Sequence, residues 1–291
     1  MTAERRRHIL FQLLQASRPV SWVNTAFPFA AAYFLTTREI DLALIVGAIF
    51  FLVPYNLALY GINDVFDYES DLANPRKGGL EGALLSRSTH RVTIISAVAV
   101  CLPFVIVLLV LGNPLSWSVL GISLFAVAAY SVPGLRFKEV PFLDSITSST
   151  HFVSPAVYGL ALAGAPVTPG LLLLLAGFLL WGIASHAFGA VQDVLPDRAA
   201  GIHSIATALG AKWAVRFAVV VWVAAGSLVL WAGWPGLLAT PLVLGYVAVA
   251  LPYVSLSDEA SERANRGWKQ FLWINYVVGF LITMLLIFYV S

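Results

Sequence analysis

The residues whose types and spacing suggest chemistry are one amide and three carboxylates: Asn63, Asp64, Asp67 and Asp71. They stand where a long apolar run ends. If the helix before them continues through, each residue turns by about 100°, so Asn63, Asp67 and Asp71 form one stripe and Asp64 lies beside it. Carboxylate and amide oxygens suit Mg²⁺, which also takes water and substrate phosphate, so these four residues are predicted metal ligands. The alternative is a solvated helix end that carries charges.

A second acidic pair has the same spacing at the end of another apolar run. Asp193 and Asp197 each lie the same number of residues after the matching acid of the first motif, which indicates an internal duplication. Gly189 then corresponds to Asn63, so the second motif lacks the first ligand. Pro196 is expected to break the helix between the two acids.

Composition identifies the class of protein. The chain has 291 residues, of which 59% are hydrophobic and only 11% charged, with a mean hydropathy of +0.85, so it is predicted to be a membrane protein. Its single cysteine, Cys101, excludes a disulfide framework and a cysteine-based metal site. The net charge of +2 gives no sign of a nucleic-acid partner.

Apolar runs long enough to cross about 30 Å of hydrocarbon set the predicted architecture. They are placed at 19–36, 42–62, 92–112, 114–131, 141–164, 168–190, 213–233, 236–254 and 270–290. Long unbroken runs favour helices over a barrel, so we predict an all-α bundle of nine transmembrane helices. One domain is expected over 1–291, with pseudo-repeats over 19–131 and 141–254 and a ninth helix over 270–290.

Positive charge predicts the orientation in the bilayer. Every lysine and arginine except Arg38 lies in alternate connections, beginning with the N-terminal segment. Because cytoplasmic loops carry the excess of positive charge, the N-terminus and both acidic motifs are predicted on the cytoplasmic side of the plasma membrane, with the C-terminus outside.

Basic residues near the acids suggest the ligand. They are Arg76, Lys77, Arg136, Lys138 and Arg198. With Mg²⁺ bridging the two acidic motifs, a diphosphate is held by metal on one side and by these cations on the other. If the diphosphate is allylic, ionisation leaves a carbocation. Aromatic faces stabilise cations, which makes Tyr68 a candidate, although plain packing is its commoner role.

Together these residues resemble the UbiA superfamily of intramembrane prenyltransferases. The resemblance covers essentially the whole chain and also rests on the segment Tyr130-Ser131-Val132-Pro133-Gly134-Leu135-Arg136-Phe137-Lys138 between the motifs. It implies a nine-helix bundle that uses Mg²⁺, with acidic motifs on helices two and six and Tyr130 near the substrate. The acids implied to be catalytic are Asp67, Asp71, Asp193 and Asp197.

Within this superfamily, stretches 63–83, 144–152 and 189–207 look like the lycopene elongases of carotenoid synthesis. That resemblance implies dimethylallyl diphosphate as donor and lycopene, or another apolar polyene dissolved in the bilayer, as acceptor. Two transfers give a fifty-carbon product, which is commonly hydroxylated in relatives. Two alternatives remain: a relative with an aromatic or quinone-precursor acceptor, and a secondary transporter, in which duplicated halves also occur.

Three further ionisable residues lie at membrane depth: Asp144, His151 and His186. Such groups are suspected of lining a functional cavity, and the reaction needs a base or a group that positions water to end it. The alternative for each histidine is a hydrogen bond between helices.

Overall fold

The computed structural model describes residues 3–73 and 84–290, and within them the chain is all-α, as predicted. It divides into two units, which we describe separately. The first consists of Met1–Arg136 with His151–Ala165, and the second of Phe137–Thr150 with Pro166–Ser291. The predicted pseudo-repeats stay a prediction.

In the described part of the first unit there are seven α-helices and part of an eighth. They are α1 (Ala3–Ala16), α2 (Trp22–Thr37), α3 (Leu42–Leu52), α4 (Pro54–Phe66), α5 (Tyr68–Ala73), α6 (Arg87–Leu111), α7 (Pro114–Ser131) and the C-terminal part of α8 (Leu143–Leu162).

The second unit begins with the rest of α8 and ends with the longest helix. Its other helices are α9 (Pro169–Ala190), α10 (Val194–Ala199), α11 (Ile205–Leu209), α12 (Ala211–Trp231), α13 (Gly236–Ala239), α14 (Val243–Ala250) and α15 (Ala264–Val290).

Seven segments of the described chain are long and apolar enough to cross a membrane, which makes this a multi-pass membrane protein. They are Leu42–Phe66, Arg87–Leu111, Pro114–Ser131, Pro169–Ala199, Ala211–Trp231, Gly236–Tyr253 and Asp258–Tyr289. The predicted spans 19–36 and 141–164 also contain helices, but α2 has only 16 residues and α8 is rich in serine and threonine. Nine transmembrane helices therefore stay a prediction.

The predicted run 42–62 is interrupted at Pro54, where α3 ends and α4 begins. Proline has no amide hydrogen, so a carbonyl in the preceding turn loses its helical partner. The Asn56 side-chain amide donates to the carbonyls of Phe51 and Leu52 at 2.8 and 3.1 Å, and the Thr25 hydroxyl donates to Phe51 at 2.7 Å. These bonds hold the two pieces in one buried segment.

Aromatic side chains fill the core of the first unit. Phe29 stacks on Tyr158 with ring centres 5.8 Å apart, and Phe51 meets the edge of Tyr55 at 5.2 Å. Gly159 allows α8 to approach α2, since a Cβ there would lie 2.7 Å from the Phe29 carbonyl oxygen. This packing fixes α4, the helix that leads into the first acidic motif.

A second aromatic cluster lies in the second unit. Trp222 is fully buried, stacks on Tyr246 at 5.6 Å and contacts Phe188 of α9 at 5.7 Å. Phe271 of α15 stacks on the same Trp222 ring at 6.0 Å. These contacts fix α9, which leads into the second acidic motif.

Candidate active site

The first acidic motif follows α4 almost without interruption. Asp67 separates α4 from α5 with φ −96° and ψ 1°, a sparsely populated conformation in which many active-site residues are found. Its amide still donates to the Asn63 carbonyl at 2.9 Å, and the Asp71 amide donates to the Asp67 carbonyl at 2.8 Å. Helical hydrogen bonds therefore cross the interruption and keep the predicted stripe of Asn63, Asp67 and Asp71 on one face.

The second motif has the same backbone conformation at its first acid. A 3₁₀ turn, Val191–Asp193, follows α9, and Asp193 has φ −97° and ψ 0°. The expected break between the acids is wrong, because the interruption ends at Asp193 and the chain is helical from Val194 through Asp197. Pro196 lies in the first turn of α10, where its missing amide is tolerated, and it leaves the Gln192 carbonyl without a helical donor.

Predicted ligands and a predicted cation meet at the end of α4. The Ser131 hydroxyl donates to Asn63 Oδ1 at 2.9 Å. Arg136 Nη2 lies 3.7 Å from Asp67 Oδ1, with side chains 29% and 12% exposed. The left-handed backbone of Arg136, φ 41°, places it in the turn that follows α7. A carboxylate and a guanidinium thus lie side by side at a partly open helix end.

Asp64 has a different environment from the other acids of the motif. Its side chain is buried and accepts a hydrogen bond from Arg18 Nη2 at 2.9 Å. The Arg18 guanidinium also lies over the Tyr60 ring, 4.3 Å from its centre. Asp64 as a metal ligand stays a prediction, and this ion pair competes with it. Sequence reasoning missed Arg18, which is distant in the chain and carries no motif.

The two predicted substrate-binding tyrosines both contact histidines. Tyr68 meets the edge of His90 with ring centres 4.9 Å apart, and Arg87 lies 5.4 Å from the Tyr68 ring centre. Tyr130 meets His151 at 5.3 Å, with ring planes 85° apart. Both tyrosines are half-buried, so each ring already has packing partners within the first unit.

Of the remaining predicted basic residues, the structure describes Lys138 but not Arg76 or Lys77. Arg76 and Lys77 lie outside the described residues. Lys138 lies in the 3₁₀ turn Phe137–Glu139 of the second unit and is half-buried.

Arg198 follows the second acidic motif and is held by two partners. Its Nη1 donates to Asp258 Oδ2 at 2.6 Å and its Nη2 donates to the Thr207 carbonyl at 2.9 Å. Asp258 Oδ1 also accepts from the Ala211 amide at 2.6 Å. Arg198 and Thr207 line a pocket of about 250 Å³ beside this loop. The motif acids Asp193 and Asp197 are both half-buried.

A buried polar cluster joins α8 to α9 in the second unit. Asp144 Oδ1 accepts from the Ser145 amide at 2.7 Å, and its Oδ2 accepts from the Ile205 amide at 2.7 Å. His186 Nδ1 lies 3.0 Å from Ser145 Oγ and 4.0 Å from Asp144 Oδ2. The sequence drew attention to Asp144 and His186 as ionisable groups at membrane depth, but gave no sign that Ser145 connects them.

The acids of the two motifs suit a hard cation that keeps other ligands. Within residues 3–73 and 84–290, no three histidine, cysteine or acidic side chains form a group that could hold a metal ion by themselves. Mg²⁺ is usually bound by one or two carboxylates, with water and substrate phosphates completing its shell. Partly exposed Asp67 and Asp193, each at an interrupted helix end, fit that donor set.

Comparison with protein families gives one assignment over most of the chain. The model of the UbiA prenyltransferase family matches residues 25–289.

Two curated relatives are similar over nearly the whole chain. The chain is 50% identical over 275 residues to a lycopene elongase/hydratase of Corynebacterium glutamicum, covering 94% of this chain and 96% of that protein. It is 54% identical over 280 residues to the C(50) beta-cyclic carotenoids biosynthesis protein LbtBC of Dietzia sp. (strain CQ4). That match covers 96% of this chain but only 65% of the longer Dietzia protein.

Solved structures agree on the fold. A UbiA homolog from Archaeoglobus fulgidus, solved with DMAPP and Mg²⁺, superposes with a TM-score of 0.66 at 19% identity, covering 92% of this chain and 98% of that one. A UbiA homolog from Aeropyrum pernix K1 gives a TM-score of 0.64.

Proposed function

Because the chain belongs to the UbiA prenyltransferase family, we propose that it transfers a dimethylallyl group from dimethylallyl diphosphate to each end of lycopene and adds water to the product. The proposal rests on the carboxylate of Asp67 beside the guanidinium of Arg136. It is supported by the Corynebacterium relative, which is named a lycopene elongase/hydratase. Family membership also removes the transporter alternative.

The acids of the two motifs would hold Mg²⁺. We assign this role to Asp67, Asp71, Asp193 and Asp197, with the Asn63 side chain beside them, and we assign Asp64 to the ion pair with Arg18. When bound, Mg²⁺ neutralises the negative charge that develops on the diphosphate as the allylic carbon–oxygen bond breaks.

The cationic side chains bind the diphosphate from the other side. Arg136 donates from the turn after α7, and its contact with Asp67 keeps the guanidinium oriented before the donor arrives. Lys138 and Arg198, together with Arg76 and Lys77, complete the proposed clamp. Asp258 accepts one hydrogen bond from Arg198 Nη1, which holds the guanidinium in place before the donor binds.

The allylic cation is proposed to react with lycopene in an apolar environment. The terminal double bond of lycopene attacks the allylic cation and leaves a tertiary cation on the polyene. Tyr68 and Tyr130 are proposed to face these cations with their aromatic rings. Lycopene has two identical ends, so a forty-five-carbon intermediate precedes the fifty-carbon product.

The proposed orientation places the N-terminus and both acidic motifs on the cytoplasmic side of the plasma membrane, with the C-terminus outside. Labelling with a membrane-impermeant maleimide tests this, because Cys101 is the only cysteine and is buried. In a Cys101→Ala background, Glu39→Cys should react in intact cells, whereas Ser257→Cys should react only after lysis. Both positions are exposed, so the reverse pattern would invert the topology.

Expression in a lycopene-producing host, followed by mass analysis of the pigments, tests the activity. We expect forty-five-carbon products before fifty-carbon ones, and none from an Asp67→Asn or Asp193→Asn control. Unchanged lycopene, together with prenylation of an added aromatic acceptor by the same membranes, would transfer the assignment to the aromatic-acceptor alternative. Chelation of Mg²⁺ should stop transfer and resupply should restore it.

A further inference from the structure

One side of α12 is exposed along the whole helix. Trp213, Val220, Val223 and Trp231 are all exposed, and at about 100° per residue their side chains lie within about 80° of one another. Trp222 lies on the opposite side of the helix and is buried in the core of the second unit. Because α12 is long and apolar enough to cross the membrane, the exposed side is the one that it presents to lipid.

The two exposed tryptophans mark the depth of α12 in the bilayer. Trp231 follows Trp213 by eighteen residues, which is five full turns, so the two side chains share one side of the helix about 27 Å apart. That distance is close to the hydrocarbon thickness of about 30 Å. Tryptophan is enriched at both membrane–water interfaces. Trp213 therefore lies at the level of the lipid headgroups.

Two cations contact the Trp213 ring at this level. The Arg216 guanidinium carbon lies 4.9 Å from the ring centre, and Lys212 Nζ lies 5.8 Å from it. Arg216 Nε also donates to the Val254 carbonyl at 2.9 Å, which leaves the N–H groups of Nη1 and Nη2 for another acceptor. The indole ring and the Val254 carbonyl thus hold two positive charges side by side.

The charge of this pair is not neutralised by the protein. Within residues 3–73 and 84–290, neither Lys212 nor Arg216 is paired with a carboxylate. Asp258 accepts from the adjacent Ala211 amide, but its carboxylate is already paired with Arg198 at 2.6 Å. Two neighbouring cations at headgroup depth attract a phosphate group and repel a headgroup that also carries a positive charge.

We propose that Lys212, Trp213 and Arg216 form a binding site for one anionic phospholipid. Its phosphodiester oxygens accept hydrogen bonds from Lys212 Nζ and from the terminal nitrogens of Arg216. An acyl chain follows the exposed side of α12 past Val220 and Val223. The lipid therefore covers the side of α12 opposite Trp222, whose ring contacts Phe188 of α9. The site does not depend on the proposed transfer reaction.

Native mass spectrometry of the detergent-solubilised protein tests the site, with phosphatidylglycerol and phosphatidylcholine of identical acyl chains as probes. The unaltered protein should bind one phosphatidylglycerol at least about tenfold more tightly than phosphatidylcholine. Lys212→Gln should weaken binding of phosphatidylglycerol by about fivefold, on the scale of one basic residue near a membrane surface. Trp213→Leu should weaken it by about threefold although no charge changes, because the ring that holds both cations is lost.

Lys269→Gln is the matched control. Lys269 is an exposed cation near the beginning of α15, with exposed Trp273 one turn further along. In the described part of the chain, however, no aromatic ring holds its ammonium group. Its affinity for phosphatidylglycerol should equal that of the unaltered protein.

Three results would overturn the proposed lipid site. Equal losses in Lys269→Gln and Lys212→Gln would show that anionic lipid is attracted by surface cations in general. Equal affinity of the unaltered protein for the two lipids would exclude selection of an anionic headgroup. Unchanged affinity in folded Trp213→Leu would exclude the role of the ring. If Trp213→Leu does not fold, the comparison of Lys212→Gln with Lys269→Gln decides.

Discussion

Replacing Arg18 should destabilise the protein more than replacing any exposed arginine. Arg18 Nη2 lies 2.9 Å from Asp64 Oδ1, and the Asp64 side chain is 0% exposed. Removing one partner of a buried ion pair leaves an uncompensated charge, which costs about 3–5 kcal/mol. The lost contact with the Tyr60 ring adds to this cost. We expect Arg18→Met to lower the melting temperature by about 6–20 °C.

The assay is thermal unfolding of the detergent-solubilised protein, followed by intrinsic fluorescence. Arg38→Met is the matched control, since Arg38 also has a left-handed backbone, φ 61°, but an exposed side chain. It should change stability by less than about 0.5 kcal/mol. The double variant Arg18→Met with Asp64→Leu should recover most of the loss, because an apolar pair can replace a buried ion pair at little cost. Equal melting of Arg18→Met and the control, or additive losses in the double variant, would refute the reasoning.

The same double variant decides the role of Asp64. If Asp64 serves the ion pair, the folded double variant keeps prenyl transfer at saturating Mg²⁺. If Asp64 is a metal ligand, as its place in the motif predicts, transfer is lost although the protein folds.

Three other predictions concern the site and the scaffold. Asp67→Ala and Asp193→Ala should each abolish transfer, measured with radiolabelled donor, while membrane insertion stays intact; near-normal turnover in either would contradict the metal assignment. Arg136→Ala should raise the KM for the diphosphate by about tenfold and leave the KM for the polyene unchanged, and a selective polyene defect would remove Arg136 from the clamp. Asp41 caps α3, and its hydrogen bond from the Leu44 amide lowers the pKa of the carboxyl. Asp41→Ala should therefore cost about 1 kcal/mol at neutral pH, and the difference in thermal stability should shrink as pH falls through that lowered pKa; a constant difference at all pH values would exclude this origin.

Helical periodicity predicted the stripe of the first motif because hydrogen bonds continue across Asp67, so the 100° rotation per residue still applies. At the second motif the expectation drawn from Pro196 misplaced the interruption. The Asn265 amide donates to Gln192 Oε1 at 2.5 Å, and Gln192 in turn donates to the Gly189 carbonyl. These contacts hold the turn before Asp193, and a partner on α15 cannot be read from the local sequence.

Most site features that could not be predicted from the sequence depend on contacts between distant parts of the chain. Asp64 belongs to the acidic motif by spacing, yet Arg18 reaches it from a segment that precedes α2. Helix α1 was not predicted either, because half of its residues are polar and it carries no apolar run long enough to span a membrane. Ser145 is one of several small polar residues in α8, and the sequence gave no sign that its hydroxyl contacts His186. Residue spacing identified candidate functional side chains within one helix, but it could not identify the residues of other helices that contact them.

The polar sequence of α8 bears on how the protein is made. At the translocon each segment partitions into lipid largely by its own apolarity, and polar residues oppose that step. Leu143–Leu162, with Asp144, His151 and many serines and threonines, is a poor substrate for insertion by itself. If α8 forms the predicted span 141–164, it should stay in the translocon until α9 is synthesised, after which the hydrogen bond from Ser149 to the Leu179 carbonyl helps both helices to enter the bilayer. A nascent chain stopped after residue 165 should leave α8 in water, and one that extends through Ala190 should carry it into the membrane.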